Sequence, residues 1–432
     1  MAKITFIGAG SIEFTRNLLG DILNFPELKN CTISLHDINA ERLDTAERMA
    51  KVIAEKLGAS PKIEAHLDRT KALEGASYVI NTIQVGGFKA TLLDFDIPRK
   101  YGVLQTIADS HSIGGIFRAL RTIPVMLDIA RDMEAVCPGA LLLNYTNPMS
   151  MLCWSVFAAT KVPIVGLCHS IQYTTEQISG YAGVNYDEVT YLGAGINHVA
   201  WILRFEHNGQ DVYPLLRKAY EAGRIPVEDS VRAELFNRLG YYVTESSEHN
   251  AEYSAHFIPH AGQIEKFHVP IDEYIRRSED NMTEAEDMRA KLLAGESFEI
   301  ERSNEYASLI IHSMETGQPR IIYGNVRNDK LIDNLLEGCC VEVPCVVDRN
   351  GVQPTRIGLL PPQLAGMSRL HLAVQELTVK AALEGRRDYV HQAAMLDPLV
   401  AAILPLDQIW AMVDELIAAH GDAMPAGIRN SN

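Results

Sequence analysis

The stretch "KITFIGAG", residues 3–10, decides the fold. An apolar run ends in two glycines separated by one residue, and a helix follows. In such a strand–turn–helix unit the glycines let the backbone approach a pyrophosphate at the helix N-terminus. The third glycine of the usual fingerprint is absent, and Glu13 stands in its place. The next apolar run, "CTISLHDI", ends at Asp37, at about the distance that suits a ribose 2′-hydroxyl and hence NAD over NADP. Gly-x-Gly alone also serves ordinary turns. Strand, helix and Asp37 together make dinucleotide binding the expectation.

Working outward, the first 200 residues alternate between strand-like and helix-like patterns. "AERLDTAERMAKVIAEKLG" (40–58) has helical period and stops at Gly58. "SYVINTIQVGG" (77–87), "ALLLNYTNP" (140–148) and "VPIVGLCHS" (162–170) read as strands, and "TIPVMLDIARDMEAVCP" (122–138) reads as a helix. Alternation of this kind implies a parallel sheet wrapped by helices, with ligands beyond the carboxyl ends of its strands. The character changes near residue 200. "HVAWILRFEHNGQDVYPLL" (198–216) and "CCVEVPCVVDRNGVQPTRIG" (339–358) read as hairpins turning at Asn208–Gly209 and Asn350–Gly351. The last eighty residues are mostly amphipathic helix. The expected fold class is α/β, lactate/malate dehydrogenase-like. A Rossmann-like NAD-binding domain spans residues 1–200, and a larger α+β substrate, metal and oligomerisation domain spans 201–432.

Composition narrows the function. The chain has 432 residues, 47% of them hydrophobic, with a formal net charge of −16. The acidic balance and the lack of a basic block argue against nucleic acid or an anionic membrane as partner. No apolar stretch approaches the ~18 residues of a membrane span. The N-terminus runs straight into a strand, without the pattern of a signal peptide. Seven scattered cysteines make no disulfide framework. The expectation is a cytoplasmic, reduced protein in which a thiolate ligand stays available.

Four further constellations sit where strands or turns end. "GLCHS" (166–170) and "GAGINHVAW" (193–201) place Cys168 and His198 each just past an apparent strand. Neighbouring strands of one sheet would bring them together, and two or three protein ligands with open positions make a catalytic metal site. Equally, a cysteine there is ordinary core material. Asn197 beside His198 adds a neutral hydrogen-bonding group. In "NYTNPMS" (144–150), Asn144 and Asn147 either cap a helix or bind a substrate hydroxyl. "TIADSHSIGG" (106–115) carries Asp109 and His111 on what is otherwise a plain turn sequence. "TESSEHNAEY" (244–253) carries Glu245, Glu248, His249 and Tyr253, and such charge is as often a solvated face.

The order "FIGAGS", "NTIQVGG", "TIAD", "NYTNPM", "GLCHS", "GINH", "TESSEHNAEY", "YGNVRND" and "GCCVEVPC" resembles glycoside hydrolase family 4, the NAD- and divalent-metal-dependent glycosidases. It is most like the α-galactosidase (melibiase) branch, from Lys3 to about Pro425. The resemblance implies that Cys168 and His198 hold a divalent metal, usually manganese, which chelates O2 and O3 of the sugar. It implies that Gly8, Gly10, Ser11, Asp37 and the loop with Gln84 and Gly86 hold NAD. Asn147, His169 and Asn197 would meet the sugar, with Asp109 near metal, substrate and nicotinamide. His169 would contact the sugar or assist the leaving oxygen. Tyr253 is the preferred C2 base, with Glu245 and His249 as alternatives.

The implied chemistry is oxidation at C3, deprotonation at C2, elimination of the aglycone, addition of water and re-reduction. Substrates would be α-galactosides of the melibiose type, with α-glucosides or α-galacturonides and glucuronides as alternatives. The loop Ser110-His111-Ser112 departs from the melibiase pattern. The family also suggests a homodimer or homotetramer. Two rival readings remain: a metal-assisted NAD-dependent dehydrogenase, and a redox sensor that binds NAD without catalysis.

Overall fold

The computed structural model describes residues 2–430. Twelve strands form one sheet: β1 Lys3–Ile7, β2 Thr32–His36, β3 Lys62–His66, β4 Tyr78–Asn81, β5 Leu141–Asn144, β6 Ile164–Gly166, β7 Val189–Ile196, β8 Val199–His207, β9 Gln210–Asp211, β10 Arg320–Arg327, β11 Cys340–Asp348 and β12 Gly351–Pro354. The order begins β3-β2-β1-β4-β5-β6, all parallel, which is the strand order of a dinucleotide-binding sheet. Parallel strands need both faces covered. Every residue of β4 and β5 is accordingly buried. Leu142, Leu143, Val79 and Ile80 are fully buried, each stabilising the fold by about 1.5–3 kcal/mol of apolar transfer. Strand β3, which sequence patterning passed over, is the outermost strand; Lys62, Glu64 and His66 give it the polar character that blunts an edge.

The sheet does not stop at β6. It continues β10-β11-β7-β8-β9, with β12 on β11. Both expected hairpins are present, joining β8 to β9 and β11 to β12. One expectation needs correction. Strands β6 and β7, which carry Cys168 and His198 just beyond their ends, are not neighbours. Strands β10 and β11 lie between them, with Gly166 paired to Asn325, Asn325 to Glu342 and Glu342 to Gly195. The physical reason is a long-range pairing: a hairpin-like pair more than 120 residues downstream outcompetes the local one, and no local pattern encodes that.

The C-terminal helices close over the nucleotide half. Asp94 accepts from both terminal nitrogens of Arg121 (3.0 and 2.6 Å) and from His420 Nε2 (2.9 Å), all buried. This ties the helices Gly87–Lys100, Ser112–Val136 and Leu406–His420 together. Among the described residues, no helix is long and apolar enough to cross a membrane.

Candidate active site

The nucleotide cradle is built first. Gly8 has φ +88°, and a Cβ there would lie 3.0 Å from the backbone at Thr82 and Ile83, at the end of β4. A Cβ on Gly10 would lie 2.6 Å from both Asp37 Oδ2 and Arg42 Cβ. Both positions therefore need glycine, for conformation at one and for close approach at the other. The Gly10 amide donates to Asp37 Oδ2 (2.9 Å), and the Asn39 amide donates to Oδ1 (2.8 Å). Asp37 thus stands fixed at the mouth of the turn, with lone pairs to spare. Ser11 precedes the helix Ile12–Asn24 and places no side chain on its first amides, which leaves them for an anion. Glu13, where a third glycine was expected, is exposed on that helix and leaves the turn intact. Gly86 starts the helix Gly87–Lys100 at φ +82°, and a Cβ on it would meet Ala90 at 2.5 Å. Gln84 is exposed beside it, with Nε2 3.5 Å from Thr91 Oγ1.

The second half of the site lies beyond β5, β6 and β7. One donor atom each from Cys168, His198 and Glu245 falls within 4.8 Å of the other two, and the same holds for Asp109, His198 and His249. His198 Nε2 faces Glu245 Oε2 at 3.5 Å, and its Nδ1 lies 3.2 Å from the Tyr253 hydroxyl. Glu245 Oε1 is 3.5 Å from His249 Nδ1, which hydrogen-bonds Ser246 Oγ at 2.7 Å. Asn147 Nδ2 donates to Asp109 Oδ2 (2.9 Å), and Asp109 Oδ1 lies 4.0 Å from His249 Nε2. Sequence-distant residues from "TIAD", "NYTNP", "GLCHS", "GINH" and "TESSEHNAEY" thus meet in one chamber.

Four non-glycine residues around it, Ala108, Ser112, His198 and Glu245, have φ between +55° and +70°. Left-handed backbone costs about 1–3 kcal/mol per residue and persists where neighbours over-determine it. One such neighbour is Glu252. It is buried and accepts hydrogen bonds from the amides of Thr106, Ile107 and Ala108, clamping the loop that presents Asp109.

Two polar atoms in the chamber are buried without a partner, Asp109 Oδ1 and Asn147 Oδ1. Buried polar groups are normally paired, so this set fits a polar ligand. Asn144 differs. It is fully buried and bonded to Asn81 and Thr146, so it serves the scaffold. His169 lies at the edge, half exposed, with Nδ1 3.4 Å from Glu305. His111 is buried between Tyr253 and His371, its ring centroid 4.5 Å from each.

The electrostatics fit a cation. Burial pushes the His198 imidazole down, so it is neutral, as a ligand must be. Burial alone would raise Glu245, and it is the protonated forms of the facing His198, His249 and His169 that pull it down to about 2. Burial, reinforced by Glu245 and Glu342, pushes the Cys168 thiol well above its ordinary range, and a bound cation would favour its thiolate. Burial likewise pushes Tyr253 well up, with Asp109, Glu252 and Glu245 adding to the effect.

Two residues escaped the sequence reading although their motifs were in view. Glu342 and Asn325, side by side on β11 and β10, are fully buried beneath the chamber. Burial, with the Glu245 charge adding and the Asn197 and Asn325 side chains opposing, pushes Glu342 up to about 8. The signal available was a glutamate inside the otherwise apolar strand "CCVEVPC".

Comparison with known proteins places the chain in a family. The model of the family 4 glycosyl hydrolases matches residues 3–184, and that of the family 4 glycosyl hydrolase C-terminal domain matches residues 193–400. An α-galactosidase of Bacillus subtilis (strain 168) is 46% identical over 98% of this chain and 99% of its own. An α-galactosidase of Rhizobium meliloti (strain 1021) is 37% identical over 98% of this chain and 89% of its own. The solved structure of a 6-phospho-α-glucosidase from gut microorganisms, in complex with NAD and Mn2+, has a TM-score of 0.83. It is 17% identical, covers 98% of this chain and 99% of its own, and shares the fold. With both family models matched in sequence order and relatives aligned over nearly its whole length, the chain belongs to family 4 of the glycosyl hydrolases.

Proposed function

We propose that this protein is an NAD- and manganese-dependent α-galactosidase. The carrying observation is the convergence of Cys168, His198 and Glu245 donors within 4.8 Å at the strand ends of a dinucleotide-binding sheet. The 46% identity to an α-galactosidase supports the sugar. When bound, the dinucleotide removes and returns a hydride at C3, and the metal polarises the oxygen there, which makes the C2 proton acidic.

The chain's own residues then have distinct tasks. Gly8, Gly10 and Ser11 give the dinucleotide its backbone cradle, and Asp37 accepts from its ribose. Gln84 and Gly86 flank the same crevice. Asn147 Oδ1, buried and without a hydrogen-bond partner, accepts from a sugar hydroxyl, and Asn197 Nδ2 donates to a sugar oxygen. Asp109, held by Asn147, completes the hydroxyl-binding set.

Tyr253 takes the C2 proton. With His198 Nε2 turned toward Cys168 and Glu245, its proton sits on Nδ1 and is donated to the Tyr253 oxygen. That hydrogen bond favours the phenolate and offsets the burial that otherwise keeps the hydroxyl protonated. Glu245 and His249 are weaker candidates. The first faces His198 and His249 at 3.5 Å each, and the second is tied to Ser246. His169, at the half-exposed edge, assists the departing oxygen.

Two measurements check this reading. Among p-nitrophenyl glycosides assayed with NAD, Mn2+ and a thiol reductant, the α-galactoside is cleaved fastest. An α-glucoside or α-galacturonide cleaved faster would overturn the sugar and leave the chemistry standing. Asp37→Ala weakens NAD binding by roughly 10–100-fold, because a hydrogen bond to a charged group contributes about 1.5–3 kcal/mol. Unchanged fluorescence titration of NAD would remove Asp37 from the cofactor site.

A further inference from the structure

Glu245 is held beside the metal-binding pair by devices that a solvated glutamate does not need. Its backbone has φ +70°, a conformation that disfavours any side chain. The neighbours enforce it. The Thr244 amide donates to Ala200 O (2.9 Å), and the Ala200 amide donates to Thr244 Oγ1 (3.2 Å), which anchors the segment on β8. The Glu245 carbonyl accepts from Arg232 Nη1. That guanidinium is itself buried and locked on Asp229 Oδ2 (2.7 Å), Gln177 (2.7 Å) and Thr174 (3.0 Å).

The side chain this scaffold presents has no hydrogen bond of its own among the described residues. Its two oxygens face imidazole nitrogens of His198 and His249, each at 3.5 Å. That is long for a hydrogen bond. Donors each about 2.1 Å from one octahedral cation, at about 90°, lie roughly 3.0 Å apart, so 3.5 Å is close to the separation of two donors that share an ion. The Cys168 donor completes the triangle within 4.8 Å.

A second triangle, Asp109–His198–His249, has the same spread. Its Asp109 Oδ1 and His249 Nε2 stand 4.0 Å apart, wider than the 3.5 Å between Glu245 and His198.

We infer that Glu245 is the third protein ligand of the divalent ion, alongside Cys168 and His198. This rests on the metal-dependent reading above. Thiolate and carboxylate together balance a 2+ charge, so the loaded site is neutral despite its burial. The carboxylate oxygen adds a hard donor to a set otherwise made of sulfur and nitrogen, which suits manganese. Three protein ligands leave the remaining positions to the substrate. The same assignment withdraws Glu245 from the list of C2 bases.

The test reads metal binding by the NAD-loaded protein without substrate, from the free Mn2+ signal in electron paramagnetic resonance. Glu245→Gln keeps the shape and removes the charge. It should weaken Mn2+ by at least about 10–100-fold, the loss seen even for groups that only support a ligand. Glu245→Gly removes the ligand and also relieves the left-handed backbone. It should lose Mn2+ equally while melting no lower than the parent, which guards against a misfolded glutamine variant. Asp109→Asn should hold Mn2+ within a few-fold of the parent, a loss well short of that seen when a supporting group is removed. Parental Mn2+ affinity in both Glu245 variants overturns the inference, as does a loss in Asp109→Asn that exceeds theirs. Cys168→Ser separates the levels. If it too binds Mn2+ normally, the metal-dependent reading fails with it; if it alone loses Mn2+, only the role of Glu245 fails.

Discussion

Cys168→Ser and His198→Ala each cut glycoside hydrolysis by about a thousandfold or more while leaving NAD binding nearly intact. Polarisation by a metal contributes several kcal/mol at the transition state, and each 1.36 kcal/mol is a factor of ten in rate. The thiol lies beyond β6 and the imidazole beyond β7, whereas the glycine turn and Asp37 lie at the ends of β1 and β2. The two losses therefore separate. Hydrolysis rates and NAD titrations on the same preparations show this directly. Chelation of the parent enzyme should reproduce the Cys168 defect, and added Mn2+ should restore the parent but not the variant. Full activity in either variant would mean that Cys168 is core material and His198 a satisfied buried histidine.

Hydrolysis in D2O should place deuterium at C2 of the released sugar, close to one atom per turnover. Oxidation at C3 has no purpose unless it makes the C2 proton removable. A two-carboxylate glycosidase works at C1 and the leaving oxygen and never touches that proton. A simple dehydrogenase leaves the glycosidic bond whole and accumulates NADH. Tyr253, 3.2 Å from His198 Nδ1, is the group assigned to exchange the proton, and Tyr253→Phe should lower the rate while the deuterium per turnover stays the same. Early proton NMR of the product, before the free sugar exchanges by other routes, gives the answer. A C2 position still carrying only protium would rule out this chemistry, or require a base so shielded that it returns the same proton.

Much of the site was open to reading because its parts are local. The glycine turn follows a five-residue strand, Asp37 follows the next, and each polar motif interrupts an apolar run at a strand end. Their physical signatures span fewer than a dozen residues. Glu342 was not legible in that way. A single glutamate in "CCVEVPC" looks like the outward face of a hairpin, and only the strands on either side of β11 make it a buried carboxyl. Glu252 was hidden for the same reason, since its role is to grip amides about 145 residues away.

The sequence by itself determined the kind of sheet, its glycine cradle and the chemical types gathered around it. Period, turn chemistry and composition are written in consecutive residues. Tertiary structure alone decided which of those groups touch. β10 and β11 enter between β6 and β7, so Cys168 and His198 meet across two intervening strands rather than on adjacent ones. The proposal of Glu245 as ligand and Tyr253 as base likewise rests on an anchored backbone and on which nitrogen of His198 faces which oxygen. Those are long-range distances, set by packing free energy summed over the whole sheet, and no window of sequence contains them.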